Sequence, residues 1–187
     1  MCEKQIAEIG YLIDKNRRKV IDLIIEMQVN LEKKGHSPIL KLELDTEPLK
    51  NSEDFFEQLK ISRKNDFNAK RTLIGPHKTD LLVNHSLKKI QAKNCSTGEQ
   101  KSLLLSFFIL SSLAISKQFR KPPVILLDEI VAHLDKENLT TLLDQLISIN
   151  AQIFATGTDR KNLDILPLDT LSYSLDLNDG ESKVFVS

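Results

Sequence analysis

Apolar residues recur at helical intervals along the first part of the chain. Ile6, Ile9, Ile13, Val20, Ile24, Met27 and Leu31 follow one another at three-, four- and seven-residue steps, with charged residues between them. This predicts one long amphipathic helix, buried along that line and ending at Gly35. The period then changes to two. In "ILKLELDTEP", Leu40, Leu42 and Leu44 alternate with Lys41 and Glu43, which predicts a strand with one wet face. "NSEDFFEQLKISRKNDF" reads as a second helix, with Ser52 placed to cap an acidic first turn. In "RTLIGPHKTDLLVNHSLKKI", Gly75 and Pro76 separate two short apolar stretches, as a loop joining two strands does.

From residue 95 the pattern predicts a helix over 98–117, a strand over 123–128, a helix over 136–149 and a strand over 151–156. A terminal hairpin follows: Leu171, Tyr173, Leu175 and Leu177 alternate, "NDGE" turns, and Val184 and Val186 return. The unbroken run in "PPVILLDE" is that of a strand buried on both faces of a parallel sheet. Strand, helix and strand with brief links form a right-handed crossover, so both strands point the same way. Thr156, Thr158 and Asp159 then fall near Asp128 and Glu129. Asp135 is placed to cap the intervening helix, whose apolar stripe is Leu139, Leu142, Leu143 and Leu146. The fold class is α/β, with a helical region carrying short strands over 1–94 and a second region over 95–187.

Composition narrows the function classes. At 187 residues and 41% hydrophobic the chain suffices for one core, and 26 basic residues balance 26 acidic ones, so global charge announces no nucleic-acid partner. Local charge is uneven. From Lys60 to Lys101, ten basic residues face only Asp66, Asp80 and Glu99, whereas from Pro123 onward eleven acidic residues outnumber four basic ones. Taken patch by patch this is also what solvated surface looks like. Cys2 and Cys95 have neither metal spacing nor a disulfide framework, which fits a reducing cytosol. The longest apolar run, Leu103 to Ile115, is thirteen residues, short of the roughly 20 that cross a bilayer. A buried core helix, no signal peptide and no membrane partner are expected.

Two stretches carry candidate chemistry. Asp128 and Glu129 end the apolar strand at the edge where open α/β sheets bind ligands, and two adjacent acids there suit Mg²⁺. The plain alternative is that they begin a surface loop. In "KNCSTGEQKSLLLSFFILSS", Ser96 and Glu99 have the spacing of a capping box. Gly98 in the first turn costs about 1 kcal/mol relative to alanine, so capping alone does not account for it. A glycine there leaves backbone N–H groups open to an anion, and Ser96 adds a hydroxyl at the positive end of the helix dipole.

The order of these stretches resembles the ATP-binding-cassette head domains: "STGEQ" looks like the signature motif, "VILLDE" like the Walker B strand and "AHLD" like the D-loop. More narrowly, "RTLIGPHKTDLLV", "STGEQKSLLL", "PPVILLDEIVAHLD" and "ATGTD" together resemble the bacterial DNA repair family RecF, with "YLIDKNRR" a fainter match. The resemblance implies an incomplete ABC-ATPase-like head of the P-loop NTPase class, with parallel core strands, a helical lobe on the N-terminal side and a C-terminal β-hairpin. It implies that Asp128 holds Mg²⁺ through water and that Glu129 polarises the water attacking the γ-phosphate of ATP. Ser96, Thr97 and Gly98 would bind the γ-phosphate held by the opposite protomer of an ATP-dependent homodimer. Asp135 would lie at the seam, and Thr156 or Thr158 would occupy the switch region. It further implies single-stranded and duplex DNA, gaps included, as ligand, RecO and RecR as partners, and the cytoplasm as location. Lys60, Arg63, Lys64, Lys70, Arg71 and Lys78 are the DNA-contact candidates, chosen from charge alone.

The sequence also departs from the family pattern. Its glycines, at 10, 35, 75, 98, 157 and 180, never precede a lysine, so the G-x-x-x-x-G-K phosphate loop is absent. "ATGTD" holds no histidine where many cassette ATPases carry one. The expected consequence is exposed apolar strands and a chain that alone neither binds ATP tightly nor hydrolyses it. Three readings stay open: half of a split DNA-dependent ATPase completed by a Walker A-bearing polypeptide, a non-enzymatic DNA-binding or interaction fragment, and a decayed remnant without ATPase activity.

Overall fold

The computed structural model describes residues 2–33, 40–129, 136–157, 166, 170–178 and 181–186. The chain divides after Pro123 into two compact units. The boundary differs from the expected one at residue 94 because the helix after it belongs to the first unit.

In the first unit, α1 (Cys2–Lys33) is followed by β1 (Leu40–Leu44), α2 (Ser52–Ala69), β2 (Leu81–His85), β3 (Ile90–Gln91) and α3 (Thr97–Phe119). The three strands form an antiparallel sheet in the order β1-β2-β3, with Leu40 opposite His85 and Leu44 opposite Leu81. Leu40 and Leu42 face inward and Lys41 and Glu43 outward, the alternation read from the sequence. The core gathers Leu40 and Leu42 with Ile24 and Met27 of α1 and with Leu103, Leu110 and Ala114 of α3. That packing is what attaches α3 to this unit.

The expected buried line on α1 holds only toward its C-terminal end. Ile24 and Met27 are buried and Leu31 packs against the core, but Ile6, Ile9, Ile13 and Val20 are exposed. The buried positions there are Ala7, Gly10 and Asp14. Small residues let α2 come close: a Cβ on Gly10 would lie 2.6 Å from a ring carbon of Phe55. The Asp14 carboxylate is buried but fully engaged, accepting from Arg18 (3.0 Å) and from the Leu49 N–H (3.0 Å). Buried polar groups need such partners.

Other expectations are corrected locally. Asn51, not Ser52, caps α2; its Oδ1 accepts from the Asp54 N–H at 2.7 Å, while Ser52 is already helical. The apolar stretch immediately before Gly75, residues 72–74, forms no strand, so the expected pair of strands around this loop is reduced to β2 after it. Gly75 has φ 127, a conformation open essentially to glycine, and leads into a short helical turn, Pro76–Lys78, whose Pro76 carbonyl accepts from Arg17. By length and composition alone α3 is apolar enough to cross a membrane. Leu103, Leu105, Ile109, Leu110 and Ala114 are buried, but Leu104, Ile115 and Phe119 are exposed, so it is not buried all round.

In the second unit, β4 (Val124–Leu127) pairs in parallel with β5 (Gln152–Ala155), with α4 (Lys136–Ser148) between them in sequence. Leu139 and Leu143 of α4 pack with Ile153 and Leu166. The terminal hairpin is present as β6 (Tyr173–Asn178) and β7 (Glu181–Val186), paired antiparallel. β4 is not buried on both faces: Ile125 and Leu127 are buried, while Val124 and Leu126 are exposed, as is Phe154 opposite Leu126. Among the described residues one face of this two-stranded sheet is covered and the other, apolar, is open.

Candidate functional site

The parallel pairing of β4 and β5 sets their C-terminal ends side by side, and the chain leaves both strands there. The Thr156 N–H donates to the Leu127 carbonyl at 2.9 Å, extending the ladder by one step. Its hydroxyl donates to Asp128 Oδ1 at 2.6 Å and accepts from the Glu129 N–H at 3.1 Å. One side chain from β5's end thus holds both acidic positions after β4. Glu129 has φ 50, a left-handed conformation unusual for a residue with a side chain, and its N–H is the group that Thr156 holds. Asp128 and Glu129 are both exposed. The expected proximity of Thr156 to the acidic pair is therefore observed. Thr158, Asp159, His133 and Asp135 lie outside the described residues.

Among the described residues no three His, Cys, Asp or Glu side chains gather as a metal-binding group. The hard oxygens of Asp128 still fit Mg²⁺, which keeps most of its shell as water and phosphate oxygen when one or two carboxylates hold it.

A second cluster stands at the start of α3. Ser96 has extended backbone (φ −62, ψ 158) and forms the capping box read from the sequence. The Ser96 N–H and hydroxyl donate to Glu99 Oε2 at 2.9 and 2.8 Å, and the Glu99 N–H reaches back to the hydroxyl at 3.5 Å. Ser96, Thr97 and Gly98 are exposed, and a Cβ on Gly98 would meet nothing within 4 Å. Packing therefore does not require glycine at 98. Gln100 braces the approach to the helix by donating to the Ala92 and Cys95 carbonyls at 3.1 and 3.2 Å.

Lys88 was not anticipated from the sequence. It lies on the turn between β2 and β3 and donates to Glu99 Oε1. With the two Ser96 donors behind it, this ammonium holds the Glu99 carboxyl at about 2, well below its ordinary range. The pairing is long-range and leaves no periodic trace in the sequence.

The DNA-contact candidates divide into two groups. Arg63 is paired with Glu3, and Lys60 pairs with Glu57 at 2.7 Å while lying 4.2 Å over the Phe56 ring. Lys64, Lys70, Arg71 and Lys78 have no ion-pair partner among the described residues.

No family model matches the chain. It is 37% identical over 182 residues to the DNA replication and repair protein RecF of Brucella abortus (strain 2308), covering 92% of this chain and 47% of that protein. RecF of Rhizobium rhizogenes (strain K84) is 36% identical over 166 residues, 84% of this chain and 44% of the relative. The chain matches the C-terminal part of RecF. It spans about half the length of the curated RecF proteins it matches. The solved structure of the recombination mediator protein RecF with ATP in the RecFOR pathway superposes with a TM-score of 0.69 at 20% identity, over 98% of this chain and 50% of that one. A structure from work on ATP-driven dimerization and DNA-stimulated activation of SMC ATPases gives a TM-score of 0.51 at 19% identity, over 93% and 89% of the two chains. The α/β fold is that of the RecF and SMC ATPase heads.

Proposed function

We propose that the chain is the C-terminal portion of a RecF-type ATP-dependent DNA-binding protein acting in recombinational DNA repair and replication restart. It contributes a signature motif and a Walker B strand to an ATP-sandwich dimer. The observation that carries this reading is the exposed Asp128–Thr156–Glu129 cluster at the carboxyl end of a parallel core strand, in a chain whose sequence matches RecF.

Asp128 is placed to hold Mg²⁺ through water; when bound, the ion would neutralise charge on the β- and γ-phosphate oxygens. Glu129 orients and polarises the attacking water. Thr156 holds the Asp128 carboxylate and the Glu129 N–H, and Thr156 or Thr158 serves as the switch residue. Ser96, Thr97 and Gly98 receive the γ-phosphate of ATP held by the opposite head, using the hydroxyl and the first-turn amides of α3. Asp135 takes the D-loop role in this reading. The phosphate-cradling loop is not among these residues, so a Walker A-bearing segment outside them supplies it to the ATP site. The exposed faces of β4 and β5 support that reading, since Leu126 is 74% and Phe154 54% exposed.

DNA, single-stranded, duplex or gapped, binds through phosphate contacts with little sequence preference, and of the candidates Lys64, Lys70, Arg71 and Lys78 have no ion-pair partner among the described residues. RecO and RecR are the expected partners, in the cytoplasm. Mixing the chain with the Walker A-bearing half of a RecF relative and measuring DNA-stimulated phosphate release tests the proposal.

A further inference from the structure

The candidate signature cluster contains an electrostatic conflict. Glu99 Oε2 lies within hydrogen-bond distance of both Ser96 donors, so an anion bound by the Ser96 hydroxyl comes to about 5 Å from a carboxylate, where like charges repel appreciably near a protein surface. Glu99 stays ionised across the working pH range.

Lys88 supplies the opposite charge, and its position is built into the turn. The Lys89 N–H donates to the His85 carbonyl at 2.8 Å, and Lys89 takes the left-handed conformation (φ 56) that closes the turn. His85 is buried, and its Nδ1 accepts from the Lys88 N–H at 3.4 Å. On the far side of the turn Ile90 pairs with His85 in the sheet. From this anchored turn the Lys88 ammonium reaches Glu99 Oε1, the oxygen that Ser96 leaves unused.

We propose that Lys88 is a positioning residue for the signature motif, neutralising Glu99 so that Ser96 and the open first turn of α3 can accept a phosphate. The inference rests on the role given above to Ser96, Thr97 and Gly98. A purely structural tether between the β2–β3 turn and α3 would use the same contact, and a double variant separates the two.

The test mixes the full chain with the Walker A-bearing half of a RecF relative. It measures by sedimentation velocity the concentration of a slowly hydrolysed ATP analogue that gives half-maximal assembly. Lys88→Met should raise that concentration about tenfold, the size expected for exposing one like charge at this distance. Lys88→Arg should retain wild-type behaviour. Adding Glu99→Gln to Lys88→Met should restore assembly to within about twofold, because glutamine still completes the capping box but carries no charge. An unchanged Lys88→Met, or a double variant as weak as the single one, overturns the proposal. So does a melting temperature for Lys88→Met more than about 5 °C below wild type, since an exposed pair contributes little to stability and a large drop marks a tether. Failure of the wild-type chain to assemble at all overturns the reading of the signature site itself, and this inference with it.

Discussion

The Thr156 hydroxyl donates to Asp128 Oδ1 across 2.6 Å, joining the ends of two parallel strands through side chains 28 residues apart. The same oxygen accepts the Glu129 N–H, so removing one hydroxyl frees the Asp128 carboxylate and the Glu129 backbone at once.

Thr156→Val keeps the shape and deletes that link. The residues are exposed and water can replace the lost bonds, so stability should fall by less than about 1 kcal/mol. In the complemented ATPase, kcat should drop about tenfold with KM for ATP little changed, the pattern of lost positioning in the transition state. Thr156→Ser should recover most of the loss. Steady-state kinetics and a thermal melt of the three chains check this.

Gly10→Ala sets two effects against each other. Alanine gains about 1 kcal/mol of helix propensity. Its Cβ would lie 2.6 Å from a ring carbon of Phe55, a side chain 1% exposed that has to shift to admit it. Overpacking of this kind costs about 1–3 kcal/mol. The expected outcome is net destabilisation, read as a lower denaturation midpoint with an unchanged slope.

That contact also marks what the sequence could and could not disclose. The strand–helix–strand order around Asp128 was legible, because a parallel crossover forces its strand ends together, and so was the Ser96–Glu99 cap, because capping is local. The packing of α1 on α2 was not. It runs through Ala7, Gly10 and a buried Asp14, residues that hydrophobic periodicity passes over, while the conspicuous isoleucines Ile6, Ile9 and Ile13 face solvent. The apolar run of β4 indicated two covered faces; among the described residues only the face of Ile125 and Leu127 is covered, and Val124 and Leu126 are exposed. Lys88 and Glu99 are brought together by tertiary structure, which the spacing of single residues does not encode.

Glu99 provides a pH signature. Its folded carboxyl sits at about 2, against an ordinary value of 4.5, held there first by Lys88 and then by the Ser96 N–H and hydroxyl. A depressed carboxyl stabilises the folded state above its unfolded value, and this contribution is lost as pH falls from about 4.5 toward 2. A ¹³C titration of the Glu99 carboxyl should show a midpoint near 2 in the wild type. In Lys88→Met the midpoint should rise, with Ser96 still keeping it below the ordinary value.

The bare face of the β4–β5 sheet should make the isolated chain self-associate, with Val124, Leu126 and Phe154 as the contact. Leu126→Gln with Phe154→Gln should keep the chain monomeric at concentrations where the wild type associates, as light scattering would report. The same pair of changes should weaken assembly with a Walker A-bearing half.

Phosphate release is the most direct test of the central claim that this chain completes a composite ATPase. The chain alone, and the Walker A-bearing half of a RecF relative alone, should each release no phosphate above background with ATP, Mg²⁺ and DNA. Their mixture should release it, and Glu129→Gln in this chain should abolish the activity. An inert mixture would contradict the account, as would turnover by the isolated chain that survives Glu129→Gln.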